Sequence, residues 1–353
     1  MMDLRKQLLE GLVIPALPLA LNEDGSWAEK HQRALLRYYA DAGVGGLAVG
    51  VHSTQFEIRE PEFGLFEPVL RLASETLDEW LGADGRRFLK IAGICGATKQ
   101  ALDEVELARN FGYEAALLSL TALKGKSEDE MVLHCQRVAG QMPVIGFYLQ
   151  PSIGGQVLSY DFWRRFFAIE NVVAVKMAPF NRYYTWDAVR ALMDSGREDV
   201  ALYTGNDDNI IVDLLTPFCH QGRSKYIVGG LLGQWGVWTE RAVHLLEELK
   251  AVREAGGMID SRWLSKNVEL TDANAAVFDA ANGFAGCIPG IMEVLRRQGL
   301  VPSNRCLNPD EVLSPRQAEE LDRVSAAYPW LVDDEFVEEN LGRWLGEEEV
   351  NRG

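Results

Sequence analysis

Short apolar runs alternate along the chain with longer segments whose apolar positions recur every three or four residues. Eight runs stand out: GLVIPALPL (11–19), GGLAVGV (45–51), RFLKIAGICG (87–96), AALLSL (115–120), PVIGFYL (143–149), VVAVKMA (172–178), ALYTGN (201–206) and KYIVGG (225–230). Their continuous apolarity predicts strands buried on both faces. The segments between them predict amphipathic helices. In KQALDEVELARNFG, for example, Ala101, Val105, Ala108 and Phe111 fall on one helical stripe.

Strands alternating with helices predict a parallel sheet, because a parallel crossover needs a connection of helix length. Eight such units within residues 1–230 predict an α/β architecture, the (β/α)8 TIM barrel, a fold of ~250 residues. A doubly wound open sheet is the alternative. It calls for a phosphate-binding glycine loop at a switch point, and neither GxGxxG nor GxxxxGK[ST] follows any run. Residues 231–303 are expected to supply the last barrel helix and a C-terminal helical extension, from LLGQWGVWTERAVHLLEELKAVREAG through VELTDANAAVFDAANG to IPGIMEVLRRQG. Residues 304–353 are expected to form an acidic tail with two surface helices, SPRQAEELDRVSAAY and DDEFVEENLGRWLGEEEV.

The net charge of -17 argues against a phosphate backbone as partner, so no nucleic acid is expected. No apolar run is long enough to span a bilayer, so no membrane partner is expected either. The opening MMDLRKQLLEGLVIPALPLAL sets basic residues before an apolar stretch, as a secretory leader does. Glu10, Gly11, Pro15 and Pro18 interrupt that stretch, and no leader is expected. The five cysteines (Cys95, Cys135, Cys219, Cys287, Cys306) are scattered, odd in number and without a CxxC pair. That pattern predicts neither a disulfide framework nor a zinc site, and fits a reducing cytoplasm.

In a barrel of this kind the chemistry gathers at the C-terminal ends of the strands. There the runs place His52, Ser53 and Thr54 after the second, and Tyr148 and Gln150 at the fifth. Lys176 lies in the sixth, Asn206 and Asp207 follow the seventh, and Gly229 and Gly230 end the eighth. Lys176 is the sharpest of these. An apolar setting favours the neutral amine, which is a nucleophile toward ketones. The competing reading pairs it with a carboxylate such as Asp207 in a structural ion pair. Tyr148, on the neighbouring strand ~5 Å away, is either a proton relay for such an amine or a core tyrosine. Ser53 and Thr54 suit a carboxylate or a simple turn. His52 is a third proton carrier or a structural ring. Phe56, Phe180, Tyr183, Tyr184, Trp235 and Trp238 are candidates for a pocket mouth or for plain packing.

Several of these segments, in order, resemble one family. VIPALPL…EDGSW, AGVGGLAVGVHST, FYLQPS, VVAVKMA, TGND and CIPGIMEVLRRQGLV are similar to motifs of the dihydrodipicolinate synthase / N-acetylneuraminate lyase superfamily of class I aldolases and lyases, over residues 10 to 300. The resemblance implies that Lys176 condenses with a 2-keto acid and that Tyr148 relays protons. It implies that Ser53 and Thr54 hold the substrate carboxylate, and that Gly229 or Gly230 contributes backbone contacts. No metal or organic cofactor is implied, and homo-oligomers, dimers or tetramers, are. Departures are plain as well. His52-Ser53-Thr54-Gln55-Phe56 stands where the family has Gly-Thr-Thr-Gly-Glu. Ile153 stands where the synthases carry a carboxylate-binding arginine, and SLTALKGKS lacks their second tyrosine.

The expected function is therefore a Schiff-base lyase, an aldolase or dehydratase, acting on a 2-keto acid such as pyruvate or a 2-keto-3-deoxy sugar acid, and not dihydrodipicolinate synthesis. His52, Gln150, Asn206 and Asp207 would read substrate hydroxyls, favouring a sugar-acid-like substrate, while the aromatics leave an aryl or apolar aldehyde partner open. The alternative is a barrel that keeps the pocket as a small-molecule sensor without turnover. A metal-dependent aldolase finds only His52 and Asp207 as ligands.

Overall fold

The structure, a computed structural model, describes residues 2–82 and 85–347. Seven of the expected strands form where the apolar runs lie: β1 (Val13–Pro15), β2 (Gly46–Val49), β3 (Leu89–Ile94), β4 (Ala115–Leu118), β5 (Val144–Leu149), β6 (Val172–Ala178) and β7 (Ala201–Thr204). A small antiparallel hairpin follows, β8 (Phe218–His220) with β9 (Arg223–Lys225). Its two turn residues, Gln221 and Gly222, both have positive φ, as a tight hairpin of matching twist requires. The last barrel strand is β10 (Gly229–Leu232).

The eight barrel strands pair in parallel in the order β1-β10-β7-β6-β5-β4-β3-β2. The circle closes between β1 and β2 through the parallel bridge Ala16–Ala48, with Leu17 N–H donating to the Ala48 carbonyl at 2.8 Å. This is the TIM barrel that the alternation of runs and helices predicts. Helices follow the strands around the outside, from Glu29–Asp41 after β1 to Thr239–Ala255 after β10. Local sequence fixes their starts. Ser127 and Glu130 form a reciprocal capping box, and Asn181 Oδ1 accepts the N–H groups of Tyr183 and Tyr184.

Apolar side chains form two cores. One fills the barrel interior, with Ile14, Ile91, Leu117, Ile145, Val173 and Tyr203 among its members. Leu4 and Leu8 of the helix Met2–Leu9 join this interior core, and the Tyr203 hydroxyl donates to the Leu8 carbonyl at 2.7 Å. The segment with a leader-like pattern thus forms the floor of the barrel. The second, larger core lies between strands and helices.

The C-terminal helices are Arg262–Val277, Cys287–Arg297, Gln317–Ala327 and Asp334–Trp344. Residues 348–353 of the expected tail lie outside the described residues. The described part is more than a surface appendage, because Trp344 and Val337 are buried. Asp333 anchors it. Its carboxylate accepts from the Tyr38 hydroxyl at 2.7 Å, Gln298 Nε2 at 2.8 Å and Glu240 N–H at 3.2 Å.

Candidate active site

Side chains on a strand alternate between faces, so the inward set of β5 and β6 is fixed by register. Lys176 pairs with Phe147, and Met177 with Tyr148. Lys176 and Phe147 point into the barrel. The ammonium nitrogen of Lys176 lies 4.5 Å from the Phe147 ring centroid. Gly205, after β7, leaves space for the lysine stem, since a Cβ there would stand 2.7 Å from Lys176 Cε. Among the described residues, Lys176 Nζ has no ion pair and no hydrogen bond. Burial lowers its pKa to about 8, opposed by the negative charge of Asp207.

Asp207 follows β7, and its Oδ1 accepts the Gln234 N–H at 3.3 Å. Burial raises its carboxyl to about 7, with Lys176 and the Gln234 N–H pulling the other way. The ion pair weighed in the sequence does not form at contact distance: the two groups feel each other's charge across the cavity. His52 reaches this space from the turn after β2. Surrounding protein pushes its imidazole pKa down, and the Lys176 charge adds to that.

The turn His52–Thr54 is a short 3-10 helix. Successive residues of such a turn point ~120° apart, so its adjacent hydroxyls diverge. Ser53 lines the cavity, and its hydroxyl has no protein partner among the described residues. Thr54 turns away. Its Oγ1 donates to the Leu17 carbonyl at 2.7 Å and accepts from the Gly50 and Val51 N–H groups at 3.0 and 3.2 Å. It holds the turn and does not face the cavity. Gln55, next in line at φ 66°, takes the Leu307 N–H on its Oε1 at 2.6 Å, so the C-terminal segment clasps this loop.

Other expected site residues lie elsewhere. Tyr148 faces the helix layer. Its hydroxyl exchanges long hydrogen bonds with the N–H and carbonyl of Leu158, both 3.4 Å, and its ring packs on Trp163 with centroids 4.9 Å apart. Asn206 is fully buried outside the cavity, where Nδ2 donates to Asp213 at 2.9 Å and Oδ1 accepts the Phe180 N–H at 3.0 Å. Gly229 and Gly230 begin β10 and do not end it. They are small for packing: a Cβ on Gly230 would lie 2.4 Å from the Trp235 ring, and one on Gly229 2.5 Å from the Leu12 carbonyl. The residue after β10 that does line the cavity is Gly233.

The cavity at the C-terminal end of the strands has a volume of about 290 Å³. It gathers His52, Ser53, Gln150, Lys176 and Asp207. Phe56 and Phe180 line it as candidate mouth residues, whereas Trp235 and Trp238 are buried in the core and Tyr183 faces solvent. Sequence reading missed Phe147, and with it Phe278, Phe284, Cys287 and Ile291 from the C-terminal extension. Strict alternation from Lys176 across β5 is the signal that points to Phe147. Nothing local in the sequence points to the other four. Among the described residues, no three His, Cys, Asp or Glu side chains converge to hold a metal ion.

Residues 10–217 match the dihydrodipicolinate synthetase family. The chain belongs to this family.

The 4-hydroxy-tetrahydrodipicolinate synthase of Saccharophagus degradans is 23% identical over 305 residues, covering 84% of this chain and 91% of that one. Among solved structures, a monomeric dihydrodipicolinate synthase variant superimposes with a TM-score of 0.71 at 18% identity, covering 92% of this chain and 98% of its own. The N-acetylneuraminate lyase of Fusobacterium nucleatum, complexed with pyruvate, has a TM-score of 0.68 at 17% identity, covering 92% and 99%. These neighbours share the barrel with the present chain. The dihydrodipicolinate synthetase family lies within a superfamily of class I aldolases and lyases, and the resemblance noted in the sequence leads to the same place. No described helix is long and apolar enough to cross a membrane.

Proposed function

We propose that this chain is a class I lyase in which Lys176 forms a Schiff base with a 2-keto acid such as pyruvate. Bonds at C3 and C4 would then be made or broken by aldol chemistry or dehydration. One observation carries the reading: a partly buried lysine amine facing a cavity, without an ion pair among the described residues, its pKa brought down to about 8. A free neutral amine adds to C2 of the keto acid; the carbinolamine loses water; the iminium draws electrons from C3. The Ser53 hydroxyl and the N–H groups at the start of its turn suit the substrate carboxylate. With Tyr148 turned away, Asp207 is the group best matched to proton transfer, since its pKa of about 7 lies near neutral pH. His52, at the exposed edge of the cavity, is the second base. Ile153 in the cavity wall offers nothing to a distal carboxylate, which argues against dihydrodipicolinate synthesis. The five unpaired cysteines suit a reducing compartment such as the cytoplasm. Self-assembly into dimers or tetramers belongs to the same proposal and is read by light scattering.

Pyruvate with borohydride should leave a stable adduct on Lys176, absent from a Lys176→Ala variant. No adduct with any of several 2-keto acids would overturn the reading. Phe147 beside the amine, where a phenol was expected, favours a second reading, a binding barrel without turnover. Keto acid affinity unchanged by Lys176→Ala, with no product formed, would select it.

A further inference from the structure

We infer that the group attached to C4 of the substrate is aryl or otherwise apolar, so the carbonyl partner is an aromatic aldehyde. Hydroxylated and carboxylated aldehydes are poor fits. The inference rests on the Schiff-base reading and adds the substrate class.

The argument starts from what the cavity offers beyond the keto acid. Phe180, Phe278 and Phe284 line it together with Ile291. Phe180 and Phe284 meet edge to face, with centroids 6.4 Å apart. Both hold positive φ, 50° and 71°, conformations that bulky side chains rarely adopt. Asn206 fixes the first of them by accepting the Phe180 N–H. The residue expected to read sugar hydroxyls therefore serves to set an aromatic wall.

Polar partners for a hydroxylated tail are few. Ser53, Lys176 and Asp207 are taken up by the keto acid half and the proton it loses, which leaves His52, Gln150 and Thr121 among the described lining residues. Thr121 is engaged with the Ser119 hydroxyl at 3.0 Å, and Asn206 is outside the cavity. A second carboxylate fares worse. Among the described residues the cavity lining holds no arginine and one lysine, Lys176, which is committed to the imine. Such a carboxylate would also meet the like charge of Asp207. Buried polar groups without partners are strongly selected against, whereas an aryl ring finds edge-to-face contacts ready-made.

In the cleavage direction the substrate is a 4-aryl-4-hydroxy-2-keto acid. Its imine on Lys176 withdraws the C3–C4 electron pair, the C4 hydroxyl gives its proton to Asp207, and the aryl aldehyde leaves. C3 of the enamine takes up a proton, and water hydrolyses the resulting imine to release pyruvate and the amine. Atoms and electrons balance without an external oxidant or reductant.

The test has two arms. In the first, the full chain is given pyruvate with benzaldehyde, glyceraldehyde or succinic semialdehyde, and products are followed by mass spectrometry. Benzaldehyde is expected to exceed the other two in kcat/KM by about tenfold or more. Phe284→Asn, whose side chain tolerates positive φ, should shrink that preference; Ile291→Gln serves should the first variant not fold. Preference for glyceraldehyde or the semialdehyde would overturn the inference, while a borohydride adduct on Lys176 would leave the Schiff-base reading intact. In the second arm, calorimetry on Lys176→Met compares 2-oxo-4-phenylbutanoate with 2-keto-3-deoxygluconate, where no imine can form. Tighter binding of the phenyl compound supports the apolar wall even if no adduct is ever trapped. Equal or weaker binding overturns it.

Discussion

Phe147 and Lys176 are directly opposed across the β5–β6 pair, with the aromatic ring 4.5 Å from the amine nitrogen. The contact leaves the lysine in an environment that is apolar and without an anion at contact distance. It also excludes Tyr148 from the same face.

Tyr148→Phe should therefore leave kcat within about threefold of wild type, far from the 10²–10⁴-fold loss expected of a proton relay. The missing hydroxyl would show instead in a denaturant melt, as a loss of about 1 kcal/mol for its backbone contacts to Leu158.

The rate of adduct formation with pyruvate should rise with pH and reach half its maximum near pH 8, as the amine loses its proton. Stopped-flow trapping across pH 6 to 10, about two units either side, reads this directly. A midpoint near the ordinary lysine value would mean that the site does not desolvate Lys176.

Removing the charge should stabilise the fold. The folded-state pKa of Lys176 lies below its unfolded value of 10.5, so its cost is fully present below about pH 8 and fades as pH rises toward 10.5. Lys176→Met should gain about 1–3 kcal/mol in urea melts at pH 7 and nothing above pH 11.

Asp207→Asn separates the two steps. Without the carboxylate that raises the amine's pKa, the trapping midpoint should move below 8. Turnover should fall about 10²-fold or more, because the proton carrier is gone. Unchanged turnover would move the proton role to His52.

Thr54→Val deletes three hydrogen bonds that shape the loop carrying Ser53. A loss of about 2–4 kcal/mol is expected, with weaker keto acid binding, although Thr54 never meets the substrate.

The barrel was legible because buried parallel strands and amphipathic helices carry distinct periods. The exception is instructive. KYIVGG reads as the eighth strand, yet Lys225 belongs to the β8–β9 hairpin and the barrel strand starts at Gly229. Glycines forced by Trp235 and Leu12 erase the apolar signal there. The site was half legible. Lys176, Ser53, His52, Gln150 and Asp207 converge because strand ends converge. Tyr148 and Thr54 do not, because each sits beside a residue that faces inward, and neighbours on a strand or tight turn cannot both do so. Alternation lets only one of Phe147 and Tyr148 face inward, and the pairing of Phe147 with Lys176 decides which, a register between strands that spacing within either strand does not encode. The wall from Phe278 to Ile291 depends on how the extension folds back, a long-range matter.

The N-terminal helix seats Leu4 and Leu8 in the floor of the barrel, at the end away from the cavity. Under the proposed chemistry the aldehyde half stands between the tethered pyruvate and solvent. It must depart first, pyruvate second. Added pyruvate would then re-engage the empty lysine and compete with the uncleaved substrate, whereas added aldehyde would only push the bound enamine backward.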